Sequence, residues 1–491
     1  NLMKPLQFIL TAVLLGSMML TGCQSGGFRD WTETGSAQAF ATSLGPVTRT
    51  ESTAESRDAV QQLRTYTDTA GCTVYMGRIQ PQGAACEGQT AAQYVLTGAE
   101  GTVRSYSAET GQWSVTPLEN KMSLGKGMYF VRTDQSEAVL VTPLTYTGRE
   151  NGMIEYLPDY DGALSIQKTS DGYTLSLSVA ALPENSYSDY LALCADSFLI
   201  DWDDPDVVAR WTNYRFTDSN RWCYDGYYYT APSDYYPSGE NYFHPLPAAY
   251  IAAKMARDTG EPASRALGLA MIDIMREQQN EYGFIPSQAG SGWLNRDYDI
   301  DPGYFDTRFN TSFWQANIDA AETFGVSEWL GATIKYADFL MGFAADHHFS
   351  FGSAADEGWL VEDYWHENGK GKATHCSLNH HAAEAVFLYR LTNATGDGQY
   401  AAFADRLVRG IELTAGLWPM EDNNLYYAYL PDGTMMTGDY PYLTYNDLLD
   451  LQSLYVQRHG SESEAIASLI RTKLAWISAN GVTGYNQSPT V

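Results

Sequence analysis

Four short turns ending in glycine recur along the second half of the chain: Asp258-Thr259-Gly260, Thr323-Phe324-Gly325, Ala394-Thr395-Gly396 and Arg458-His459-Gly460. Their glycines are 65, 71 and 64 residues apart (325−260, 396−325, 460−396). An interval that nearly repeats is the mark of a repeated supersecondary unit, and this length fits a pair of helices with a loop at each end. The spacing therefore predicts four helical hairpins in series. Closed into an (α/α)4 barrel, they would gather their long loops at one end, where a concave site can form.

Residue spacing supports the helices. Leu378, Ala382, Ala385 and Tyr389 recur at helical intervals, as do Leu448, Leu451 and Tyr455, with Thr444 or Asn446 available to cap that start. Leu267, Met271 and Ile274 repeat the pattern, and Pro247 fits a first helical turn. Glycine at each hairpin turn supplies the left-handed conformation that ends a helix.

Near its start the chain has Met3-Lys4, an apolar run from Leu6 to Leu20, and Leu20-Thr21-Gly22-Cys23. The run is too short for a membrane span and reads as a signal sequence over residues 1–22. Its end resembles the lipobox of bacterial lipoproteins, which implies lipidation at Cys23, export, and anchoring to the bacterial cell envelope. Thirty basic against 59 acidic residues leave a net charge of −29, which excludes nucleic acid as a partner. Cysteines 72 and 86, and 194 and 223, are candidates for disulfides outside the cytoplasm, which leaves Cys376 over.

Residues 23–65, rich in Ser, Thr, Gly and Ala, read as a flexible tether. Residues 66–195 change to alternating runs such as Tyr173, Leu175, Leu177 and Val179, with Tyr129-Phe130-Val131 and Val139-Leu140-Val141 as further strands. They predict a β-sandwich with a structural or docking role. Residues 196–491 hold the helical hairpins, so the fold class is α+β: a β-sandwich-like domain followed by an (α/α)4 barrel.

Three long loops, at about 280–312, 345–377 and 418–444, concentrate polar and aromatic side chains. The first carries Trp293, Arg296, Asp297, Asp299, Asp301, Asp306 and Arg308; the second Trp359, Tyr364, Trp365, His366, Glu367, Lys370, Lys372 and His375; the third Tyr426, Tyr427, Tyr429, Asp439, Tyr440 and Tyr442. Aromatic faces stack on the apolar faces of sugar rings while polar neighbours bond the hydroxyls, so the set suits a glycan groove. Against this stands the plain alternative that a loop tyrosine packs and a loop carboxylate is simply solvated. Glu367, between His366 and Asn368, is the leading carboxylate. Of His380 and His381, inside a helix, at most one can face the interior. The acidic run from Asp297 to Asp306 could hold calcium, but it matches no fixed loop, and no cofactor is indicated.

At these residues the chain resembles the C-terminal domain of the D-glucuronyl C5-epimerases. The likeness rests on Leu246-Pro247-Ala248-Ala249, Asp363-Tyr364-Trp365-His366-Glu367 and Leu378-Asn379, with Phe387 to Leu391, Tyr426-Tyr427 and Tyr440 to Asn446, and covers roughly residues 240–456. It implies a β-rich part before an (α/α)4 barrel, and an isomerase that removes the C5 proton of a uronate and returns it on the other face. By that resemblance Glu367 with Tyr426 or Tyr427, and Tyr440 or Tyr442, are catalytic. Trp293, Arg296, Arg308, Tyr364, Trp365, His366, Lys370, Asn379 and Asn446 would bind substrate. Where the family has a tyrosine after the glutamate, this chain has Asn368.

The reading is an envelope-anchored uronate C5-epimerase acting on an exported polysaccharide. The alternatives are a glycoside hydrolase or polysaccharide lyase on the same barrel, or a lipoprotein that only binds or exports a glycan.

Overall fold

In this computed structural model the described residues are 28–226, 228–230, 234–258, 260–369 and 372–487. The signal sequence, Cys23 and Lys370 lie outside them.

One strand explains the layering. Residues Glu137–Gly148 are buried at ten successive positions. A strand covered on both faces loses the polar alternation of a half-exposed one. Its Ala138 and Leu140 face one core, while Val139, Val141, Leu144 and Tyr146 face another.

Strands β1 to β15 are Arg29–Glu33, Gln38–Thr42, Gly45–Glu55, Ala59–Thr67, Thr73–Pro81, Gln89–Thr97, Gly101–Ser107, Gln112–Pro117, Lys121–Leu124, Met128–Thr133, Glu137–Gly148, Ile154–Tyr156, Ala163–Lys168, Gly172–Val179 and Ser186–Ala195. A large sheet runs β1-β3-β4-β5-β15-β11-β12 and continues through Tyr242–Pro245, Tyr228–Thr230 and Asn220–Trp222. A small sheet, β6-β14-β13-β9, covers one face and encloses Leu164, Ile166, Leu175 and Leu177 with Ala138 and Leu140. Two sheets do pack face to face, but the large one also serves the helices.

That arrangement corrects two expectations. Residues 29–67 are not a tether; they form β1 to β4. Threonine-rich stretches resemble linkers in composition, yet threonine suits a pleated strand, and Thr50 and Thr65 face each other across β3 and β4 with their hydroxyls 2.6 Å apart. Nor does a domain boundary fall at 195, because one core runs from Tyr66, Val74 and Leu193 into the helices.

Helices α1 to α10 are Pro205–Asn213, Tyr250–Arg257, Pro262–Arg276, Gly292–Tyr298, Thr307–Phe324, Leu330–Asp346, Leu378–Thr395, Gly398–Thr414, Leu443–His459 and Glu464–Ala479. The hairpins are α2/α3, α5/α6, α7/α8 and α9/α10, and α2, α5, α7 and α9 pack each against the next. Side chains from all four of those helices, Arg257, Asp319, Arg390 and Asp450, line one cavity. Arg49 reaches from β3 to Asp273 of α3 at 2.9 Å, and Tyr66 donates to the same carboxylate at 2.6 Å, tying sheet to helices.

Gly325, Gly396 and Gly460 close α5, α7 and α9 with φ of 70°, 76° and 76°. Asp258, at φ −83°, ends α2. Pro247 precedes α2 by three residues rather than sitting in its first turn. Thr444 and Asn446 lie inside α9 and cap nothing: Thr444 donates to Asp439, and Asn446 accepts from Asn486 N–H. No disulfide joins any two of the described cysteines, 72, 86, 194, 223 and 376.

Helix α7 is closely enclosed, with 13 of its 18 residues buried, among them Asn379, His380, His381 and Glu384. Both oxygens of Glu384 are buried, and burial, helped by Asp363 and opposed by the nearby Thr307 hydroxyl, raises its carboxyl well above the usual range. The unfolded chain ionises that carboxyl near its ordinary value while the fold keeps the proton, so stability falls as pH rises above about 4.5. Glu384→Gln is expected to remove that part of the slope. Urea midpoints at pH 5 and pH 8 check it: wild type should lose more stability between the two than the variant does.

Candidate active site

The loop before α5 is held to the second loop by a short antiparallel pair, Phe305 with Trp365 and Asp306 with Tyr364. Asp306 then caps α5, accepting from Phe309 N–H at 2.9 Å. The residue is 4% exposed. Burial raises it to about 7, helped by nearby Asp363 and opposed by the Phe309 N–H and by Arg308. At neutral pH it is therefore poised to give or take a proton.

Asp363 is shifted the other way. Ser377 donates to it twice, through N–H at 3.0 Å and the hydroxyl at 2.5 Å. His375 Nε2 lies 3.3 Å and His380 Nδ1 3.6 Å from the same oxygen. Burial alone would raise this carboxyl, but these partners outweigh it and hold it below its ordinary value. Burial also lowers His380 to about 4, so that ring is neutral at pH 7 and hydrogen-bonds the Thr307 hydroxyl at 2.7 Å. The Ser377 bonds, rather than a His380 charge, then anchor Asp363. Two carboxyls of one cluster are thus driven apart in acidity. Asp363 is fully enclosed and orients its neighbours; Trp293 stacks on His375 at 5.2 Å, and Tyr298 meets His375 Nδ1 at 2.8 Å.

Arg308, the second residue of α5, grips Asp447 of α9 with two bonds of 2.5 and 3.1 Å and donates to the Asn379 carbonyl of α7 at 3.0 Å. Burial lifts Asp447 to about 6, against the pull of Arg308. Tyrosines surround this floor. Tyr364 is buried, Tyr235 stacks on His244, and Tyr427 packs edge-on to Tyr440 with ring centres 6.1 Å apart. Tyr250 and Tyr440 are 43% and 49% exposed. Water reaches Tyr250, yet the protein crowded about its hydroxyl raises it to about 12. Tyr427 and Tyr440 are raised too, first by burial and then by Asp363 and Asp306 respectively. All three hydroxyls keep their protons and are donors at neutral pH.

No described protein family and no curated protein sequence matches the chain. Among solved structures it is similar to a family 76 glycoside hydrolase from a bovine Bacteroides thetaiotaomicron strain, at 12% identity and a TM-score of 0.38, over 86% of this chain and 78% of that one. It is also similar to a D-mannose isomerase, at 14% identity and a TM-score of 0.37, over 50% of this chain and 63% of that one. A third is cellobiose 2-epimerase from Bacillus thermoamylovorans B4167, at 9% identity and a TM-score of 0.36, over 48% and 60%. The chain thus spans less than two thirds of the latter two. Likeness this loose carries no activity across; the assignment rests on side chains.

The structure brings Arg308, Tyr364, Asn379, Tyr427 and Tyr440 to the Asp306 cluster, with Trp293 behind it on His375. It does not bring Glu367 there. That residue is exposed, and its carboxylate bonds Tyr282 beside the Trp365, Phe284 and Phe339 rings. Its polar turn Asn368-Gly369 leads the side chain outward. Tyr442, at the start of α9, turns towards Gly484, and Tyr426 packs into the core. Arg296 pairs with Asp297 at the surface, His366 bonds the Pro302 carbonyl at 3.0 Å, and Asn446 holds the C-terminal segment.

The acidic run also disperses: Asp299 pairs with Lys372, Asp301 accepts from Asn368 and Asp306 caps a helix. Among the described residues no group of three or more His, Cys, Asp or Glu is arranged to hold a metal ion, so the calcium expectation finds no ligand set. Asp447 and Tyr250 were missed, and Asp306 was named only as one loop acid among several. An aspartate just before a helix reads as a cap, and nothing in sequence shows that its surroundings are apolar. Glu367→Gln and Tyr442→Phe are each expected to leave kcat/KM within about twofold of wild type, as surface changes do; steady-state kinetics on a turned-over glycan check this.

Proposed function

We propose that the chain is a carbohydrate-active enzyme, built on four successive helical hairpins, that cleaves a neutral sugar linkage by acid–base catalysis. The observation that carries this is Asp306: a carboxyl at about 7, on a buried floor rimmed by water-accessible tyrosines. Asp306 donates its proton to the leaving oxygen. Asp447, at about 6 and ionised at neutral pH, takes a proton from the attacking water. Tyr250, Tyr427 and Tyr440 offer rings for stacking and hydroxyls for donation.

Two cations of the cluster, among the described residues, favour a neutral sugar. Arg308 is engaged by Asp447 and Asn379. Lys473 has three acceptors, Asn424, Asp439 and the Tyr440 carbonyl. Neither has a free face for a uronate carboxylate.

A second reading keeps the C5-epimerase chemistry, and one observation favours it. Protonated tyrosines stand beside a carboxyl able to act as base, which is the base-and-acid pairing that epimerisation needs. Incubation with glycans in deuterated water separates the readings. New reducing ends support hydrolysis, deuterium at C5 without chain shortening supports epimerisation, and an ultraviolet-absorbing unsaturated product supports a lyase. No change with any neutral or uronate glycan would overturn both readings. Export and lipid anchoring at Cys23 belong to the same proposal, with labelling by radioactive palmitate, lost in Cys23→Ser, as their test.

A further inference from the structure

A second cleft lies on the β-rich side, away from Asp306. One wall is the β7–β8 hairpin with Tyr106 and Trp113; the other combines Lys126 and Tyr129, before and in β10, with Arg215, just after α1. Trp211 and Phe130 floor it. The rings of Tyr106 and Trp113 are 5.4 Å apart and inclined at 57°, forming an angled wall rather than a closed stack. Tyr106 and Trp113 are both half-buried, and both line the cleft.

Its polar groups are arranged unlike those of the catalytic cluster. Arg215 lies 5.2 Å over the Tyr106 ring and pairs with Asp218 at 2.6 Å, yet its Nε is buried without a partner. Lys126 is exposed, with its ammonium 4.6 Å over the Tyr156 ring and no ion pair among the described residues. Arg221 sits over the same ring at 5.1 Å. The lining sets Lys126 and Arg215 against Glu109 and Asp218, so in a chain of net charge −29 this cleft is locally balanced in charge, with the Lys126 ammonium left without an ion pair among the described residues.

The geometry points to a second glycan-binding site in this cleft, which stacks a sugar ring on Tyr106 and Trp113 and takes an acidic substituent at Lys126. The inference rests on the reading of the chain as a glycan-directed enzyme and adds to it. An acidic unit held here and a neutral unit at Asp306 describe a strand of mixed composition. The cleft would hold such a strand without taking part in chemistry.

Titration calorimetry on the full chain carrying Asp306→Asn tests it, with tetragalacturonate, tetraglucuronate and tetramannuronate as probes and cellotetraose as the neutral control. At least one acidic tetrasaccharide is expected to bind more tightly than cellotetraose. Tyr106→Ala and Lys126→Met, neither of which removes a core ring, should each weaken that binding at least fivefold, and added salt should weaken it too. No binding of any acidic probe, or equal affinity in both variants, overturns the site. Short-substrate turnover in Tyr106→Ala without the Asp306 change should stay at the wild-type level. Failure at Asp306 shows separately, as turnover that survives Asp306→Asn while the cleft variants still lose binding.

Discussion

Asp306→Asn is expected to lower kcat by about a hundredfold to ten-thousandfold, the range a positioned proton donor supplies, and at the same time to stabilise the fold. Asparagine caps a helix about as well as aspartate, so the acceptor for Phe309 N–H survives. What is lost is the titrating proton. The stability effect has a definite sign. A carboxyl raised from 3.8 to about 7 is ionised in the unfolded chain at pH values where the fold keeps it protonated. Its cost to the fold is absent below about pH 4, grows between about 4 and 7, and levels off above, at up to about 4 kcal/mol. The variant should therefore gain stability over wild type at pH 8 and lose that gain by pH 4. Turnover assays beside urea midpoints at both pH values check this. Full activity, or a gain that does not depend on pH, would remove Asp306 from the proposed chemistry. A residue whose removal strengthens the protein while silencing it is one retained at a cost to stability.

The hairpins were legible because their signal is periodic: the helical interval in α7 and the glycines at 325, 396 and 460 repeat where the backbone needs a left-handed turn. Strands β1 to β4 were not legible, because strand and linker share a Ser/Thr-rich composition and differ only in what lies opposite. Gln61 shows this: a polar residue in a polar stretch, it is buried and bonded to Tyr190 and the Ala91 carbonyl. The loops that bear the site were recognisable by their aromatic and charged content, but not which members face inward. Glu367 and Asp306 are both loop carboxylates; one ends a polar turn at the surface, and the other is pinned by a two-residue strand pair against Tyr364. Burial created by such a long-range pair leaves no local trace, and it is burial that sets Asp306 near 7.

The same logic of enclosure governs the largest stability effect expected. Lys473 of α10 and Asp439 of the third loop form an ion pair at 2.5 Å, with side chains 0% and 1% exposed. The lysine makes three bonds, to Asp439, to Asn424 and to the carbonyl of Tyr440, so its donor capacity is filled. Lys473→Met leaves the carboxylate enclosed with the Thr444 hydroxyl and the Tyr440 backbone N–H but no cation, and removing one partner of a buried pair costs about 3–5 kcal/mol. Lys473→Met with Asp439→Leu takes away both charges and is expected to recover most of that loss, because two apolar groups of similar volume need no partner. Equal urea midpoints for the single variant and wild type would show the pair to be dispensable. The single variant should also reach the chemistry. The Tyr440 carbonyl loses its donor, so the ring beside Tyr427 is no longer held, and KM should rise more than kcat falls. The double variant should recover stability but not KM, since methionine cannot hold that carbonyl; recovery of both would mean that Lys473 acts only by neutralising Asp439.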